Sequence, residues 1–410
     1  MEYDDEKEFV SRVNSYLDDK VIMYKDSVFD ESFPPIQRSS LSFVKGPISL
    51  HSGACGWGED IFPKVKGEFL ERVSTYLPID DFIKSDFDVE VVKNSQQKKL
   101  TLKSVLGFRF LRIFYREVYF LFKGENSKKQ VTTSGCAGHF SYDEATLNAW
   151  LELIQRDAFF VHWLNTIPPT HIDIDNFISK SEKLRRVIIL LQRYNLQYYF
   201  LDVTTDIAVP SCVCVLVDHA KTGKKVGIGA SAGLGDVEDI LFSALNEALI
   251  ILGDYYKEQP SMKLDNNCTP FIDKTLDRKK RLGLYMDNAN FEKFKFFISS
   301  TKRISVEDFT TVFGTLSEKI STTEQLDYLK KIFGDRYKSN SSYDVFVAKI
   351  RNKLLNEFDY KVVRVMCDAL YPLYLNENYA NPNHPRLKEF VKNKRLESVA
   401  KLNIWPHPFP

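Results

Sequence analysis

Residues 134–158 open with Ser134-Gly135-Cys136-Ala137-Gly138, continue through Asp143-Glu144-Ala145, and reach Leu151-Glu152-Leu153-Ile154-Gln155-Arg156-Asp157-Ala158. The paired glycines mark a flexible turn, and a helix is expected over about Tyr142–Leu164. Leu147, Trp150, Leu151, Leu153, Ile154, Phe159, Phe160, Val161, Trp163 and Leu164 make that helix apolar nearly all round, as in a buried helix. Yet at about 100° per residue, Glu144, Asn148, Glu152, Gln155 and Arg156 fall within one arc of roughly 120°. Taken singly, such an arc is the solvated face of a surface helix.

Two further helical segments, about Val65–Leu77 and Val237–Tyr256, repeat the arrangement. Glu68, Glu71, Arg72 and Thr75 share a face opposite Phe69, Leu70 and Val73, and Asp236, Asp239, Ser243 and Glu247 align among Ile240, Leu241, Phe242, Leu245, Leu249 and Ile250. The pattern E-x-x-[EQ]-R occurs both at Glu68–Arg72 and at Glu152–Arg156, which reads as an internal pseudo-repeat. Three apolar helices with narrow acidic stripes imply carboxylates gathered away from bulk water. Like charges in such a place need protons, basic partners or cations, and Arg72 and Arg156 neutralise only part. Mg²⁺ takes a few carboxylate oxygens and completes its shell with water and phosphate, so a Mg–nucleotide cleft fits the pattern.

Familiar catalytic and phosphate motifs are missing. No G-x-x-x-x-G-K-[ST] is present. Gly227-Ile228-Gly229-Ala230-Ser231-Ala232-Gly233 departs from G-x-G-x-x-G, and its glycines are read as a tight turn before the third helix. The seven histidines form no H-E-x-x-H pattern, and no G-x-S-x-G occurs. Cys136 could be a nucleophile, but a turn is the favoured reading, because no histidine partner is identifiable.

Composition bounds the rest. The 410 residues suggest two or three domains or one large one, and 31 Phe with 20 Tyr support a substantial core. A net charge of +1 with interspersed signs argues against nucleic-acid binding. The acidic start is unlike a secretory signal, and no uncharged run approaches a membrane span, so the expected location is cytoplasmic. Strand patterns at Tyr198–Val203, Val209–Val217, Lys225–Ile228, Tyr343–Ile350 and Tyr360–Cys367 alternate irregularly with helices, which indicates an α+β fold with mixed or antiparallel sheets. Cys212 and Cys214 sit in one such strand as core residues. Residues 1–34 read as an N-terminal arm and 35–410 as one domain, with 266–342 a peripheral helical region. The chain ends in Trp405-Pro406-His407-Pro408-Phe409-Pro410, a stiff extended tail carrying a free carboxylate. Termini usually fray, but beside three acid-striped helices an ordered tail is expected.

The stretch at 134–158 resembles the core signature of YcaO-domain proteins. Leu201–Asp206 followed by Pro210 is similar to that family's middle strands, and Val363-Arg364-Val365, Pro372-Leu373, Arg386-Leu387 and Leu402-Asn403 to its C-terminal part. Pro406-His407-Pro408-Phe409-Pro410 resembles the P-x-P-x-P end of the azoline-forming members of the thiazole/oxazole-modified microcin type. The resemblance covers about Pro35 to Pro410 and implies a YcaO-like ATP-binding fold with ATP and Mg²⁺ as cofactors. It places nucleotide contacts on Glu68, Glu71, Arg72, Glu144, Asn148, Glu152, Ser243 and Glu247, with Glu68, Glu71, Glu144, Glu152 and Glu247 as metal ligands. Val65, Asn148 and Ser243 depart from the family's Ser, Gln and Arg, and Ser243 lacks a guanidinium that could grip phosphate.

The implied reaction is cyclodehydration of Cys, Ser or Thr in a ribosomally made precursor peptide, with the Pro410 carboxylate as catalytic base. Peptide thioamidation and a degenerate scaffold subunit are the alternatives. Implied partners are the precursor peptide, a leader-binding protein resembling ubiquitin-activating enzymes, and an FMN-dependent azoline dehydrogenase. The chain starts almost directly in the YcaO-like part, so the leader-binding function is expected on a separate protein.

Overall fold

The structure is a computed structural model that describes residues 2–17, 21–30, 33–45, 48–56, 61–76, 89–92, 99–103, 110–114, 132–218, 225–258, 281, 283–285, 288–311, 320–396 and 401–409. Helix α1 (Glu2–Leu17) precedes an antiparallel meander of β1 (Val21–Asp30), β2 (Phe33–Lys45) and β3 (Ile48–Gly56). Helix α2 (Phe62–Tyr76) lies on this meander. A small antiparallel sheet follows, of β4 (Val89–Val92), β5 (Lys99–Lys103) and β6 (Phe110–Phe114). Strand β7 (Cys136–His139) leads into α3 (Tyr142–Leu164). Then come β8 (Thr170–Asp173), α4 (Asp175–Ile178), α5 (Glu182–Arg193), β9 (Leu196–Asp202), β10 (Ser211–Asp218), β11 (Lys225–Ala232) and α6 (Val237–Glu258).

The C-terminal part contains α7 (Asn288–Phe294), β12 (Arg303–Ser305), α8 (Val306–Thr310), α9 (Thr322–Ser339), β13 (Phe346–Ile350), α10 (Lys353–Glu357), β14 (Lys361–Met366) and α11 (Pro385–Asn393). The largest sheet has the order β11-β10-β9-β8-β12, antiparallel except where β12 runs parallel to β8. A further antiparallel sheet has the order β13-β14-β7. The fold is α+β with mixed and antiparallel sheets, as the irregular alternation predicts.

Helix α3 explains how these layers meet. Ser141 caps it, its side chain accepting from the Glu144 N–H, which satisfies one of the orphan donors of a helix start. Its first half buries Trp150 and Ile154 with β14 and α9, while its second half buries Phe159, Phe160 and Trp163 among β9, β10, β11 and α6. A helix covering two sheets needs apolar residues on most of its circumference, and its sequence has them. Strand β10 is buried along its whole length, so Cys212 and Cys214 are core thiols.

Two expectations need revision. The stretch taken as peripheral, 266–342, sends Phe291, Phe294 and Phe297 into the main core beside Trp163. Spacing of i, i+3, i+6 through a helix and its 3₁₀ extension puts all three rings on one side, a signal hidden by the charged residues between them. The same stretch supplies the edge strand β12. Residues 266–280 lie outside the described residues. At the other end, α1 buries Phe9, Val13 and Leu17 with Val65, Phe69 and Leu70 of α2, and β1 pairs along β2, so residues of the expected arm share a core with α2.

Gly227 and Gly229 do not make a turn. Both lie within β11, where a Cβ on Gly229 would fall 2.1 Å from the Ala244 carbonyl oxygen and one on Gly227 2.3 Å from that of Ala248. Their role is to let α6 press onto the sheet. Among the described residues, no helix is long and apolar enough to cross a membrane.

Candidate functional site

The three acidic stripes meet where α2, α3 and α6 come together around β7 and β11. On α3, the Gly135 N–H donates to Glu152 Oε2 at 2.9 Å. Gly135 has φ +76°, a conformation natural to glycine, and that turn aims its N–H at the helix. On α6, the Ala230 N–H donates to Glu247 Oε2 at 2.7 Å, a contact that depends on the close approach at Gly229. On α2, Glu68 accepts from the Gly53 N–H at 2.9 Å and pairs with Arg72 at 2.5 Å.

Electrostatics tie the stripes together. Burial pushes Glu71 well above the usual carboxylate range, and the charges of Glu152 and Glu68 push it further, with Arg72 opposing. Burial also raises Glu247, which senses Arg156 as a counter-charge and Glu152 as a like one. The charge of Glu152 thus acts on both Glu71 and Glu247, which places the three carboxyl groups at one site. Arg156 pairs with Glu152 at 3.4 Å, and its Nε is buried with no hydrogen-bond partner. Cys136 lies in the same region, bonded to Glu71. Burial and the Glu71 charge drive its thiol well up, against Arg364, so it is no activated nucleophile.

The other residues of the predicted set stand around this centre. Glu144 pairs with His139 Nδ1 at 2.5 Å, two turns before Glu152. Asn148, one turn before Glu152, and Ser243, one turn before Glu247, are exposed. Among the described residues, no three acidic, histidine or cysteine side chains lie close enough to hold a metal as they stand. The reason is visible in the bonding: Glu68, Glu144, Glu152 and Glu247 are each drawn to a separate donor. The residues still fit Mg²⁺ with phosphate, because the donors are hard oxygens and the unspent Arg156 N–H suits an anion.

The tail is ordered over its described part. The Trp163 indole N–H donates to the Trp405 carbonyl at 3.1 Å, the Tyr285 hydroxyl to that of Pro406, and Arg281 Nη1 to that of His407 at 3.1 Å. His407 packs between Phe160 and Tyr374 and donates from Nε2 to the Tyr374 carbonyl at 2.6 Å. Burial and Arg281 hold it neutral, well below the usual imidazole range. Phe409 is buried edge-on against Phe159 at 4.6 Å, with the Arg156 guanidinium 5.7 Å from its ring centre. The tail thus runs to the residue that faces Glu152 and Glu247. Pro410 lies outside the described residues.

The sequence model described as YcaO cyclodehydratase, ATP- and Mg²⁺-binding, matches residues 115–370. The chain belongs to the YcaO family. ATP and Mg²⁺ are the cofactors that go with that membership. A comparison with curated protein sequences gave no match. Among solved structures, this YcaO chain is similar to a heterocyclase in complex with substrate and cofactor, at 15% identity and a TM-score of 0.67, over 95% of this chain and 55% of the heterocyclase. It thus spans little more than half of that relative. It is also similar to YcaO from Methanopyrus kandleri bound with AMPPCP and Mg²⁺, at 14% identity and a TM-score of 0.58, over 90% of both chains. A third likeness is to the E. coli microcin synthetase McbBCD complex, at 14% identity and a TM-score of 0.55, over 94% of this chain and 96% of that one. At these identities the structural likenesses show the shared fold.

Sequence reasoning missed Tyr360, His139 and Arg364 around the acidic centre. None stands in a periodic pattern with the stripes, and only their fold neighbours bring them there.

Proposed function

We propose that this YcaO protein is an ATP- and Mg²⁺-dependent peptide cyclodehydratase acting on Cys, Ser or Thr of a ribosomally made precursor. The observation that carries the reading is the gathering of Glu71, Glu152 and Glu247: burial raises Glu71 and Glu247, the charge of Glu152 acts on both, and the three carboxyl groups outnumber the guanidinium groups of Arg72 and Arg156. Carboxylates held up in this way favour a cation on binding. Bound there, Mg²⁺ would neutralise triphosphate charge and hold its oxygens. Glu68, Glu71, Glu144, Glu152 and Glu247 would hold the metal, and Arg72, Arg156, Asn148 and Ser243 would face the nucleotide.

In the reaction, the side-chain sulfur or oxygen of the substrate residue attacks the preceding amide carbonyl carbon. The carbonyl oxygen takes the γ-phosphoryl group of ATP. The ring nitrogen then expels phosphate and loses its proton, leaving a thiazoline or oxazoline, ADP and phosphate. The Pro410 carboxylate would take protons, and the anchored tail would hold it in place with little ordering cost.

Partners on this reading are the precursor peptide, a leader-binding protein and an FMN-dependent azoline dehydrogenase. The microcin synthetase complex similar in fold has also been solved with pro-MccB17 bound, which supports a peptide-modifying assembly. Reconstitution with precursor and partner tests the proposal. ATP consumption with loss of one water per modified residue is expected, whereas exchange of oxygen for sulfur would indicate thioamidation. The exposed Ser243 and the lack of a ready metal triad among the described residues favour a scaffold subunit as the second reading. A scaffold predicts no ATP turnover.

A further inference from the structure

Tyr360 occupies a slot built from two glycines. Asp359, at φ +48°, turns the chain just before β14, and the Tyr360 ring lies across α2 and β7. A Cβ on Gly67 would fall 2.6 Å from the Tyr360 hydroxyl oxygen, and one on Gly138 2.3 Å from its ring. Glycine is disfavoured inside a helix, so Gly67 within α2 has a reason here: any side chain would evict the tyrosine. Phe140 meets the ring edge-on at 5.5 Å from the other side.

The slot opens on a cavity of about 830 Å³ that Tyr360 lines together with Glu68, Glu71, His139, Phe140 and Lys66. The hydroxyl sits at the Gly67 position, one helical turn from Glu71 and on the same face. It makes no hydrogen bond to any described residue. Burial and the Glu71 charge push its pKa up to about 12, so near neutral pH it is an O–H donor. Beside the carboxylates of Glu68 and Glu71, this hydroxyl offers a nucleotide's oxygens a neutral donor, in a cavity that also presents the cations of Arg12, Lys64 and Lys66.

We propose that Tyr360 is a ligand-binding residue whose hydroxyl donates a hydrogen bond to an anionic or Mg²⁺-bound oxygen of a nucleotide seated in this cavity. The inference rests on the reading of Glu68 and Glu71 as part of the nucleotide site, and it adds a residue that the acidic stripes do not contain.

Tyr360→Phe keeps the ring in its slot and removes only the donor. Titration of the full chain with AMPPCP and Mg²⁺ by calorimetry should show binding weakened about tenfold, the size of one hydrogen bond to a charged group. The melting temperature of the ligand-free variant should match wild type. Adenosine, which lacks phosphates, should bind both proteins alike. A loss that persists with AMPPCP alone assigns the phosphate oxygen, and one confined to samples with Mg²⁺ assigns a metal-bound oxygen. Gly138→Ala, which displaces the ring with its hydroxyl intact, should weaken AMPPCP–Mg²⁺ as well. Wild-type affinity in Tyr360→Phe, or equal weakening for adenosine, overturns the inference while the nucleotide-site reading stands. A wild-type chain that binds no AMPPCP with Mg²⁺ overturns both.

Discussion

Arg281 holds the tail through a buried charge, and its removal has a calculable cost. The guanidinium pairs with Glu377 at 2.8 Å, both side chains being 1% exposed, and donates to the carbonyls of Leu375 at 2.8 Å and His407 at 3.1 Å. Arg281→Met strands the Glu377 carboxylate in the interior. Breaking one side of a buried pair costs about 3–5 kcal/mol, and the lost bonds to the two carbonyls argue for a figure within that range rather than below it. Replacing both partners, as in Arg281→Met with Glu377→Leu, removes the stranded charge and should recover about 2 kcal/mol or more of the deficit. Equilibrium denaturation followed by tryptophan fluorescence measures both values, and carboxypeptidase digestion reports release of the tail.

The pH dependence of the same variant is a second reading of the pair. Burial already raises Glu377, with Arg281 opposing. Without Arg281 its folded pKa rises further, so the folded state binds its proton more tightly than the unfolded one. Stability then falls as pH rises above the ordinary glutamate value of about 4.3. The deficit should be largest near neutral pH and shrink in acid. A cost below about 1 kcal/mol, when the range expected is several times larger, or a double variant no more stable than the single one, refutes the clamp.

Three further outcomes follow from the site. Gly229→Ala sets a Cβ against the Ala244 carbonyl and the Ala248 nitrogen; it should cost about 1–3 kcal/mol or more and weaken AMPPCP–Mg²⁺ binding, because Glu247 moves with α6, as melting curves with and without ligand would show. Glu71→Gln removes a carboxyl that burial and its acidic neighbours raise; since such a group lowers stability as pH rises through its folded pKa, the ligand-free variant should melt above wild type at pH values above the carboxylate range, and should lose its stabilisation by AMPPCP–Mg²⁺. Deleting Pro410 should abolish ring formation while leaving nucleotide affinity within about twofold, a difference well under one hydrogen bond, and ring formation at the normal rate would remove the tail from the mechanism.

Much of this architecture was legible because it is periodic. Helix α3 reads correctly from Tyr142 to Leu164, since a helix buried between two sheets repeats its apolar residues over six turns and shows its acids as the exception. The coupling of Glu71, Glu152 and Glu247 was legible for the same reason. Contacts made by single residues from distant segments were not. Arg281 and Glu377 meet across 96 positions (377 less 281), and nothing local marks either. Tyr360 reads as an ordinary strand residue until Gly67 and Gly138 are seen to leave room for it. Gly227 and Gly229 misled because sequence cannot distinguish a glycine that turns the chain from one that admits a helix. The bonding of the carboxylates was not legible: spacing puts them on one face of each helix, but Glu68, Glu144, Glu152 and Glu247 each find a separate partner.

The central claim is that the amide oxygen of the substrate is phosphorylated and leaves as phosphate. A precursor peptide carrying ¹⁸O in the carbonyl preceding the modified Cys, Ser or Thr, incubated with this protein, its partner, ATP and Mg²⁺, tests it directly by mass spectrometry of the released phosphate. The account predicts one ¹⁸O atom in the phosphate for each ring formed. Rings formed with unlabelled phosphate and the label in water would contradict it.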